Sequence, residues 1–296
     1  YKIVKQKWDH QWRSENDYRE WCLKWLNQIS RVIKISGSLY LFGFLRNLFG
    51  LYDDIIKFGF NFRQQIIIDK GLRSVGGRCT SKYKMFPTAT ETILFFTQDS
   101  RSELKSFLKQ RQKESGLTGL EINRKLGCKS GMWSFYTRPN NSQIPTKENW
   151  EKLQQILDFD RAYHDFAPVF NTEMGITDVW NDLDFYEEDR FHPTQKPVKL
   201  IERIIKASSN ENMIVLDPFM GSGATAIACL NLNRYYVGIE REIEYLNNSL
   251  WRIKSHTTDS KQSASQFTQN FTTSVLTTKS NTKLSQNSYY QLSLFG

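Results

Sequence analysis

One short segment limits the folds open to this chain more than any other. Residues 214–225 read IVLDPFMGSGAT, an apolar run of strand length followed by a turn that contains Gly221 and Gly223. Glycines in such a turn let the backbone approach a ligand closely, and a helix is predicted to begin at about Thr225. The next predicted strand, Tyr235–Glu240, ends in an acid about 20 residues after the glycines, where a carboxylate commonly holds ribose hydroxyls. The pattern therefore predicts a nucleotide-type pocket at the carboxyl edge of a sheet.

Apolar strands alternate with amphipathic helices along most of the chain. Helices are predicted at 17–34, 48–57, 198–207 and 223–232, and strands at 38–43, 65–69, 92–96, 213–217 and 235–240. This alternation predicts an α/β fold with a largely parallel sheet that carries helices on both faces. No uninterrupted apolar run of about 18 residues is present, so a membrane span is not expected.

Charge is distributed unevenly. The chain carries 40 Lys and Arg against 31 Asp and Glu, a net charge of +9 that favours a polyanionic partner. Residues 101–138 hold nine cations and three acids, so the basic excess is concentrated there. Residues 158–190 hold ten acids and two arginines, a pattern typical of a solvated loop or helix face.

The tail and the cysteines add two expectations. Ser, Thr, Asn and Gln make up 22 of the 34 residues from 257 to 290, which predicts a disordered polar tail over 256–296. The four cysteines are too far apart for a zinc or redox motif, so free thiols in a reducing, cytoplasmic compartment are expected. They are Cys22, Cys79, Cys128 and Cys229. No metal site is predicted.

Two motifs in the second half of the chain resemble those of a known family. DPFMGSGAT at 217–225 resembles the cofactor loop of DNA amino-methyltransferases, whose methyl donor is S-adenosylmethionine. HPTQKP at 192–197 is similar to the segment that precedes this loop in the same family and closes over the methionine end of the cofactor. The resemblance covers roughly residues 1–253, apart from the basic insert.

The resemblance implies a fold and a set of cofactor contacts. The fold is a Rossmann-like S-adenosylmethionine-dependent methyltransferase sheet with helices on both faces and a small helical insert. Glu240 would bind the ribose, the turn would line the methionine side, and residues 194–196 would contact the methionine carboxylate or ammonium. For Lys196 a plain surface charge is the alternative. The implied cofactor-binding residues are Thr194, Gln195, Lys196, Asp217, Pro218, Phe219, Gly221, Ser222, Gly223, Thr225 and Glu240.

The order of the motifs resembles the beta arrangement of the family, in which a catalytic (Asp/Ser)-Pro-Pro-Tyr motif lies near the N-terminus. No such motif occurs in the 296 residues, and Tyr1 is expected to be its last residue. In the family this motif accepts hydrogen bonds from the exocyclic amine, and its tyrosine stacks on the flipped base. Tyr1 is therefore the catalytic candidate, and the chain is expected to lack the family's N-terminal part. A frayed terminus at Tyr1 is the alternative.

Two basic regions are candidates for DNA contact. Residues 71–86 are rich in Gly and cations and are expected to form a DNA-contacting loop. Residues 101–157 are expected to form a helix-turn-helix-like insert for target recognition, with an ordinary solvated helical hairpin as the alternative. The predicted contacts are Arg73, Arg78, Lys82 and Lys84 in the loop, and Arg124, Lys125 and Lys129 in the insert.

These expectations combine into one predicted activity. The protein is expected to be a site-specific DNA methyltransferase that methylates N6 of adenine in duplex DNA, as in a prokaryotic restriction-modification system. Double-stranded DNA and a cognate restriction endonuclease are the expected partners, in a nucleoid-associated cytoplasmic setting. The alternatives are an N4-cytosine enzyme, an inactive DNA-binding remnant, and a methyltransferase acting on RNA or protein. The predicted domains are a catalytic-side half (1–100), the insert (101–157), a cofactor-binding half (158–255) and the tail (256–296).

Overall fold

The computed structural model describes residues 11–75, 84, 86–128, 131–171, 173–190, 192, 194–259, 270–277 and 288–295. These residues divide into two compact units. The first unit comprises the described residues of Gln6–Ile67 and Glu91–Val169, and the second comprises those of Ile68–Thr90 and Phe170–Gly296. No helix in these ranges has the length and apolar character that a membrane crossing requires.

The first unit contains a group of strands packed against helices. Its opening elements are α1 (Glu15–Val32), β1 (Ser38–Gly43), α2 (Leu45–Phe49), α3 (Tyr52–Lys57), β2 (Phe60–Asp69) and β3 (Thr90–Gln98). The last two residues of β2 and the first of β3 belong to the second unit. Strand β3 lies between β1 and β2, and β1 runs antiparallel to it, with Ser38 opposite Thr97. Cys22, Leu26 and Phe96 are among the residues that form the core here.

The insert folds as four helices around a second core of the first unit. They are α4 (Arg101–Ser115), α5 (Gly119–Lys125), α6 (Met132–Thr137) and α7 (Lys147–Leu157). Thr118 caps α5 in a capping box, because the Glu121 amide donates to its hydroxyl at 3.3 Å and its own amide donates to the Glu121 carboxylate at 2.7 Å. Trp133 and Trp150 are buried in this core, so Trp133 is a core anchor.

The second unit contains the glycine turn. Its elements are β4 (Val179–Trp180), α8 (Val198–Ser208), β5 (Ile214–Asp217), α9 (Ala224–Asn231), β6 (Tyr235–Glu240), α10 (Ile243–Asp259), β7 (Asn270–Thr277) and β8 (Ser288–Phe295). The sheet order is β5-β6-β8-β7. Strands β5 and β6 are parallel, with Asp217 opposite Gly238, so both end at the same edge of the sheet.

The predicted α/β fold class is confirmed, but the expectation of a largely parallel sheet is wrong. Strands β5 and β6 pair in parallel, whereas the pairs β1–β3, β6–β8 and β7–β8 are antiparallel. Apolar periodicity indicates that a strand is buried but not which way it runs, so the sequence pattern did not reveal the mixed sheet.

The tail contains two strands. Strands β7 and β8 pair with each other, and β8 pairs with β6, within the region expected to be disordered. The polar count that predicted disorder includes many threonines, and the segment also holds Val, Tyr and Phe, which favour strands. A low aliphatic content therefore did not exclude extended structure.

Candidate functional site

The turn from Asp217 to Gly223 takes a backbone course that requires glycine. Gly221 has a φ of +48° and Gly223, which caps the start of α9, has a φ of +75°. Residues with a side chain rarely adopt such angles. A Cβ at Gly223 would also lie 3.0 Å from Cβ of Ser249 on α10. The turn is therefore held closely between its own helix and α10.

The carboxylate of Asp217 holds the inside of the turn. One of its oxygens accepts the Phe219 amide at 3.0 Å and the other accepts the Thr225 hydroxyl at 2.6 Å. Burial raises the pKa of Asp217, and the hydrogen bonds from Thr225 and Phe219 oppose that rise. Both oxygens are thus engaged in joining β5, the turn and the first residues of α9.

Glu240, at the end of β6, closes the turn from the other side. Its Oε2 accepts the Gly221 amide at 3.0 Å, and its Oε1 accepts the amides of Arg241 and Glu242 at 2.7 and 2.8 Å. Only glycine fits at position 238, since a Cβ there would lie 1.9 Å from the Tyr236 hydroxyl and 2.8 Å from the Met220 sulfur. The structure therefore brings the acid and the glycine turn into direct contact.

Residues 192 and 194–197 lie against the same turn. The His192 ring is 4.3 Å from the Tyr245 ring between centroids, and a Cβ at Gly221 would lie 3.5 Å from His192. Burial, and secondarily the positive charge of Lys196, lower the pKa of His192 to about 4. The imidazole is therefore neutral at neutral pH, and its Nδ1 accepts the Thr194 amide at 3.2 Å.

Gln195 is the buried member of this segment. Its side-chain Nε2 donates to the Asp189 carbonyl at 2.9 Å, and its backbone amide donates to the His192 carbonyl at 3.2 Å. Thr194 is exposed and Lys196 is half-buried. Gln195 therefore holds the segment in place, while its two neighbours are more open to solvent.

Two residues that the sequence patterns did not single out connect these parts. Arg252 on α10 donates to the carbonyl and the hydroxyl of Ser222 at 3.2 and 3.3 Å, and it also pairs with Glu188. The other oxygen of Glu188 accepts the Val198 amide at 2.7 Å, at the start of α8. The two charged residues thus join α10, the turn and α8. Arg252 and Glu188 lie 64 residues apart, and no local motif signals such a pairing.

In the structure, the predicted cofactor-binding residues form two neighbouring groups. One group forms the turn and the strand end beside it, namely Asp217, Pro218, Phe219, Gly221, Ser222, Gly223, Thr225 and Glu240. The other is Thr194, Gln195 and Lys196, which adjoin the turn through His192. Their contacts with a cofactor stay a prediction.

The predicted DNA contacts are divided between the units. Arg73 and Lys84 are exposed in the second unit, and Arg124 and Lys125 are exposed at the end of α5 in the first. Four further predicted site residues lie outside the described residues, namely Tyr1, Arg78, Lys82 and Lys129. The described cysteines Cys22, Cys128 and Cys229 are free thiols, and Cys79 lies outside the described residues.

The chemistry of the turn suits a ligand with both a charged end and hydroxyl groups. The ammonium of Lys196 suits a carboxylate, and Oε2 of Glu240, which accepts one backbone amide, keeps a lone pair for a hydroxyl. Within the described residues, no group of three or more His, Cys, Asp or Glu side chains is arranged to hold a metal ion.

Comparison with known proteins identifies the family. The sequence profile of a DNA methylase family, N6_N4_Mtase, matches residues 1–250. The chain is 28% identical over 249 residues to type II methyltransferase M1.MboII of Moraxella bovis, covering 84% of each chain. It is 24% identical over 256 residues to type II methyltransferase M2.DpnII of Streptococcus pneumoniae, covering 86% of this chain and 73% of the relative.

A solved structure shares the fold. The crystal structure of the M1.HpyAVI-SAM complex superposes with a TM-score of 0.51 and 22% identity, over 80% of this chain and 84% of that one. At 22% identity this structural similarity supports the methyltransferase fold, whereas the assignment to a family rests on the profile. Because that profile spans most of the sequence, the resemblance seen in the motifs is confirmed and the chain belongs to the N6/N4 DNA methylase family.

Proposed function

We propose that this protein transfers a methyl group from S-adenosylmethionine to N6 of adenine at a specific site in duplex DNA, within a restriction-modification system. The contact between Glu240 and Gly221 carries the proposal, because it joins the acid at the end of β6 to the glycine turn after β5. The names of the relatives, type II methyltransferases, support the restriction-modification setting. The similarity of the motif set to the adenine enzymes favours adenine over N4 of cytosine.

The residues around the turn fit S-adenosylmethionine. Oε1 of Glu240 accepts two backbone amides and Oε2 accepts one, so Oε2 keeps a second lone pair that a ribose hydroxyl would occupy. Lys196 and Thr194 supply a cation and a hydroxyl for the methionine carboxylate, beside the neutral ring of His192. Asp217 has both oxygens bonded within the turn, so we assign it the role of shaping the turn rather than of binding directly.

The methyl transfer requires of this part of the chain mainly that it orient the methyl donor. When bound, S-adenosylmethionine would supply a methyl group activated by its sulfonium; the N–CH3 bond to the target amine would form as the S–CH3 bond breaks, leaving S-adenosylhomocysteine, and the amine would lose one proton. Residues of the turn and of 194–196 therefore act by holding the donor in one orientation, which lowers the entropic part of the barrier. Tyr1 is the proposed group that stacks on the flipped base, in the role that the family's tyrosine has.

Recognition of DNA is proposed for the two basic regions. In the insert, α5 has a capped start, and Arg124 and Lys125 are exposed at its end, where we propose that they contact DNA. Lys129 follows in the sequence. Arg73, Arg78, Lys82 and Lys84 are proposed to contact the phosphate backbone. A cognate restriction endonuclease and a cytoplasmic, nucleoid-associated location complete the proposal.

The test is to express the gene that encodes this chain in a bacterial host without DNA methyltransferases. Mass spectrometry of hydrolysed DNA is expected to detect N6-methyladenine, and sequencing that reads modified bases is expected to find it at one short motif. N4-methylcytosine in its place would refute the adenine assignment. Unmodified DNA, together with S-adenosylmethionine binding by the purified protein, would favour a methyltransferase with another substrate. Loss of both would favour the DNA-binding remnant.

A further inference from the structure

Two arginine side chains lie close to one exposed aromatic ring in the second unit. The guanidinium carbon of Arg73 lies 5.1 Å from the ring centroid of Tyr186, and that of Arg190 lies 5.6 Å from the same centroid. Tyr186 is 42% exposed, and both arginines are exposed. We call these three side chains the Tyr186 platform. Arg73 comes from a part of the sequence far from the other two, so the fold assembles the platform.

The ring is held in position by its neighbours. The Tyr186 amide donates to the Asp184 carboxylate at 2.7 Å, and the preceding side chain, Phe185, is buried. A third cation adjoins it, since the ammonium of Lys70 lies 5.8 Å from the Phe185 ring centroid. Three cations thus lie close to the two consecutive aromatic residues Phe185 and Tyr186.

Three acids of the same segment pair with other cations. Asp182 pairs with Arg203 at 2.6 Å, Glu187 pairs with Lys199 at 2.9 Å, and Glu188 pairs with Arg252. Across the part of the chain that the structure describes, neither Arg73 nor Arg190 forms a salt bridge with a carboxylate. These three acids are therefore engaged away from the platform, and, among the described residues, Asp184 and Asp189 form no salt bridge with its two arginines.

We propose that the Tyr186 platform binds the phosphate backbone of duplex DNA. An arginine stacked on an aromatic face keeps its N–H edge available, and that edge matches the geometry of a phosphate. Stacking also limits the side-chain entropy that binding removes. Duplex DNA carries a charge about every 1.7 Å along its axis, so two cations on one ring can meet neighbouring phosphates. The inference rests on the proposed function and adds Tyr186 and Arg190, from an acidic segment, to the DNA-contacting residues.

The test measures duplex affinity of the whole chain over a series of salt concentrations, by fluorescence anisotropy with a labelled duplex. Loss of one phosphate contact reduces the slope of log affinity against log salt by about 0.9 and weakens binding on the order of eightfold at 0.1 M salt. Arg73→Gln and Arg190→Gln are each expected to show this change. Tyr186→Leu is expected to reduce the slope as well, whereas Tyr186→Phe, which keeps the ring, is expected to leave it unchanged.

Lys199→Gln is the matched control. It removes one exposed positive charge from the same unit, but that charge is already paired with Glu187, so the slope is expected to stay as in the unchanged protein. Slopes for Arg73→Gln and Arg190→Gln that equal the control would overturn the inference while the unchanged protein still binds and methylates DNA. Failure of the unchanged protein to bind duplex DNA would overturn both the inference and the proposed function.

Discussion

At the scale of single residues, Glu240 joins the end of β6 to the glycine turn. Its carboxylate accepts three backbone amides, and an amide side chain has only one oxygen to accept them. Glu240→Gln therefore loses at least one hydrogen bond to a charged acceptor, worth about 1.5 to 3 kcal/mol. We predict that its affinity for S-adenosylmethionine, measured by calorimetry, falls by about tenfold or more.

Glu244→Gln serves as the control for this change. Glu244 is exposed in the first turn of α10, four residues after Glu240, and its replacement removes the same charge from the same region. The affinity of this variant is expected to match that of the unchanged protein. Equal affinities for Glu240→Gln and Glu244→Gln would contradict the role assigned to Glu240.

His192 makes stability depend on pH. Its folded-state pKa is about 4, against an ordinary value of 6.5, because burial disfavours the charged ring. Between these values the unfolded chain binds more protons, so stability rises with pH through this window. The contribution is fully present above about pH 6.5, is lost as the pH falls toward 4, and amounts to about 3 kcal/mol.

We predict that His192→Asn flattens this dependence. The midpoint of urea unfolding, followed by fluorescence, is expected to fall less between pH 7 and pH 5 in the variant than in the unchanged protein. His164→Asn, in the other unit, is expected to keep the full dependence. An equally steep profile for His192→Asn would show that another group titrates in this window.

At the scale of elements, the turn depends on the space at Gly223 as well as on its φ. Gly223→Ala places a Cβ 3.0 Å from Cβ of Ser249, in addition to the strain of a φ of +75°. Strain of this kind costs about 1 to 2 kcal/mol, and overpacking adds about 1 to 3 kcal/mol. We predict a lower melting temperature and at least a tenfold loss of S-adenosylmethionine affinity.

Gly175→Ala separates the effect of backbone strain from that of the steric clash. Gly175 has a φ of +85°, but a Cβ there would meet nothing within 4 Å. This variant is expected to lose stability through strain alone and to bind S-adenosylmethionine normally. A Gly223→Ala protein that binds as well as Gly175→Ala would contradict the steric argument.

Element positions were predictable where a local signal exists. The strand at 38–43 and the strand at 235–240 have the predicted bounds, because short apolar runs flanked by glycines or polar residues mark them clearly. The predicted helix at 48–57 is instead two helices, α2 and α3, with Gly50 and Leu51 between them. The link from Arg252 to Glu188 was not predictable, since it depends on tertiary packing between distant segments.

At the scale of the whole molecule, local charge sums did not predict which cations are available. The segment 158–190 has a strong acidic excess, yet its Arg190 stacks on Tyr186 while the neighbouring acids pair with Lys199 and Arg252. Charge counted along the sequence predicts the sign of a region, whereas the fold decides which charges pair. The basic insert is the other region where this distinction matters.

The final prediction concerns the DNA contacts proposed for the first unit. Arg124→Gln with Lys125→Gln removes two exposed cations of the first unit, whereas the glycine turn belongs to the second. If both cations contact phosphates, duplex affinity falls and its salt slope decreases by about 1.8. The affinity for S-adenosylmethionine, measured without DNA, is expected to stay unchanged.

Lys147→Gln with Lys152→Gln is the control, because it removes two cations from α7 in the same unit. Lys152 is paired with Glu148 at 2.7 Å, so at most one of the removed charges is available to a phosphate. Its salt slope is therefore expected to decrease by no more than about 0.9. If the α5 and α7 double variants reduce the slope equally, the charge of the unit as a whole governs binding and α5 has no special part in it. A larger effect at α5, with unchanged cofactor affinity, is what a recognition helix at this position requires.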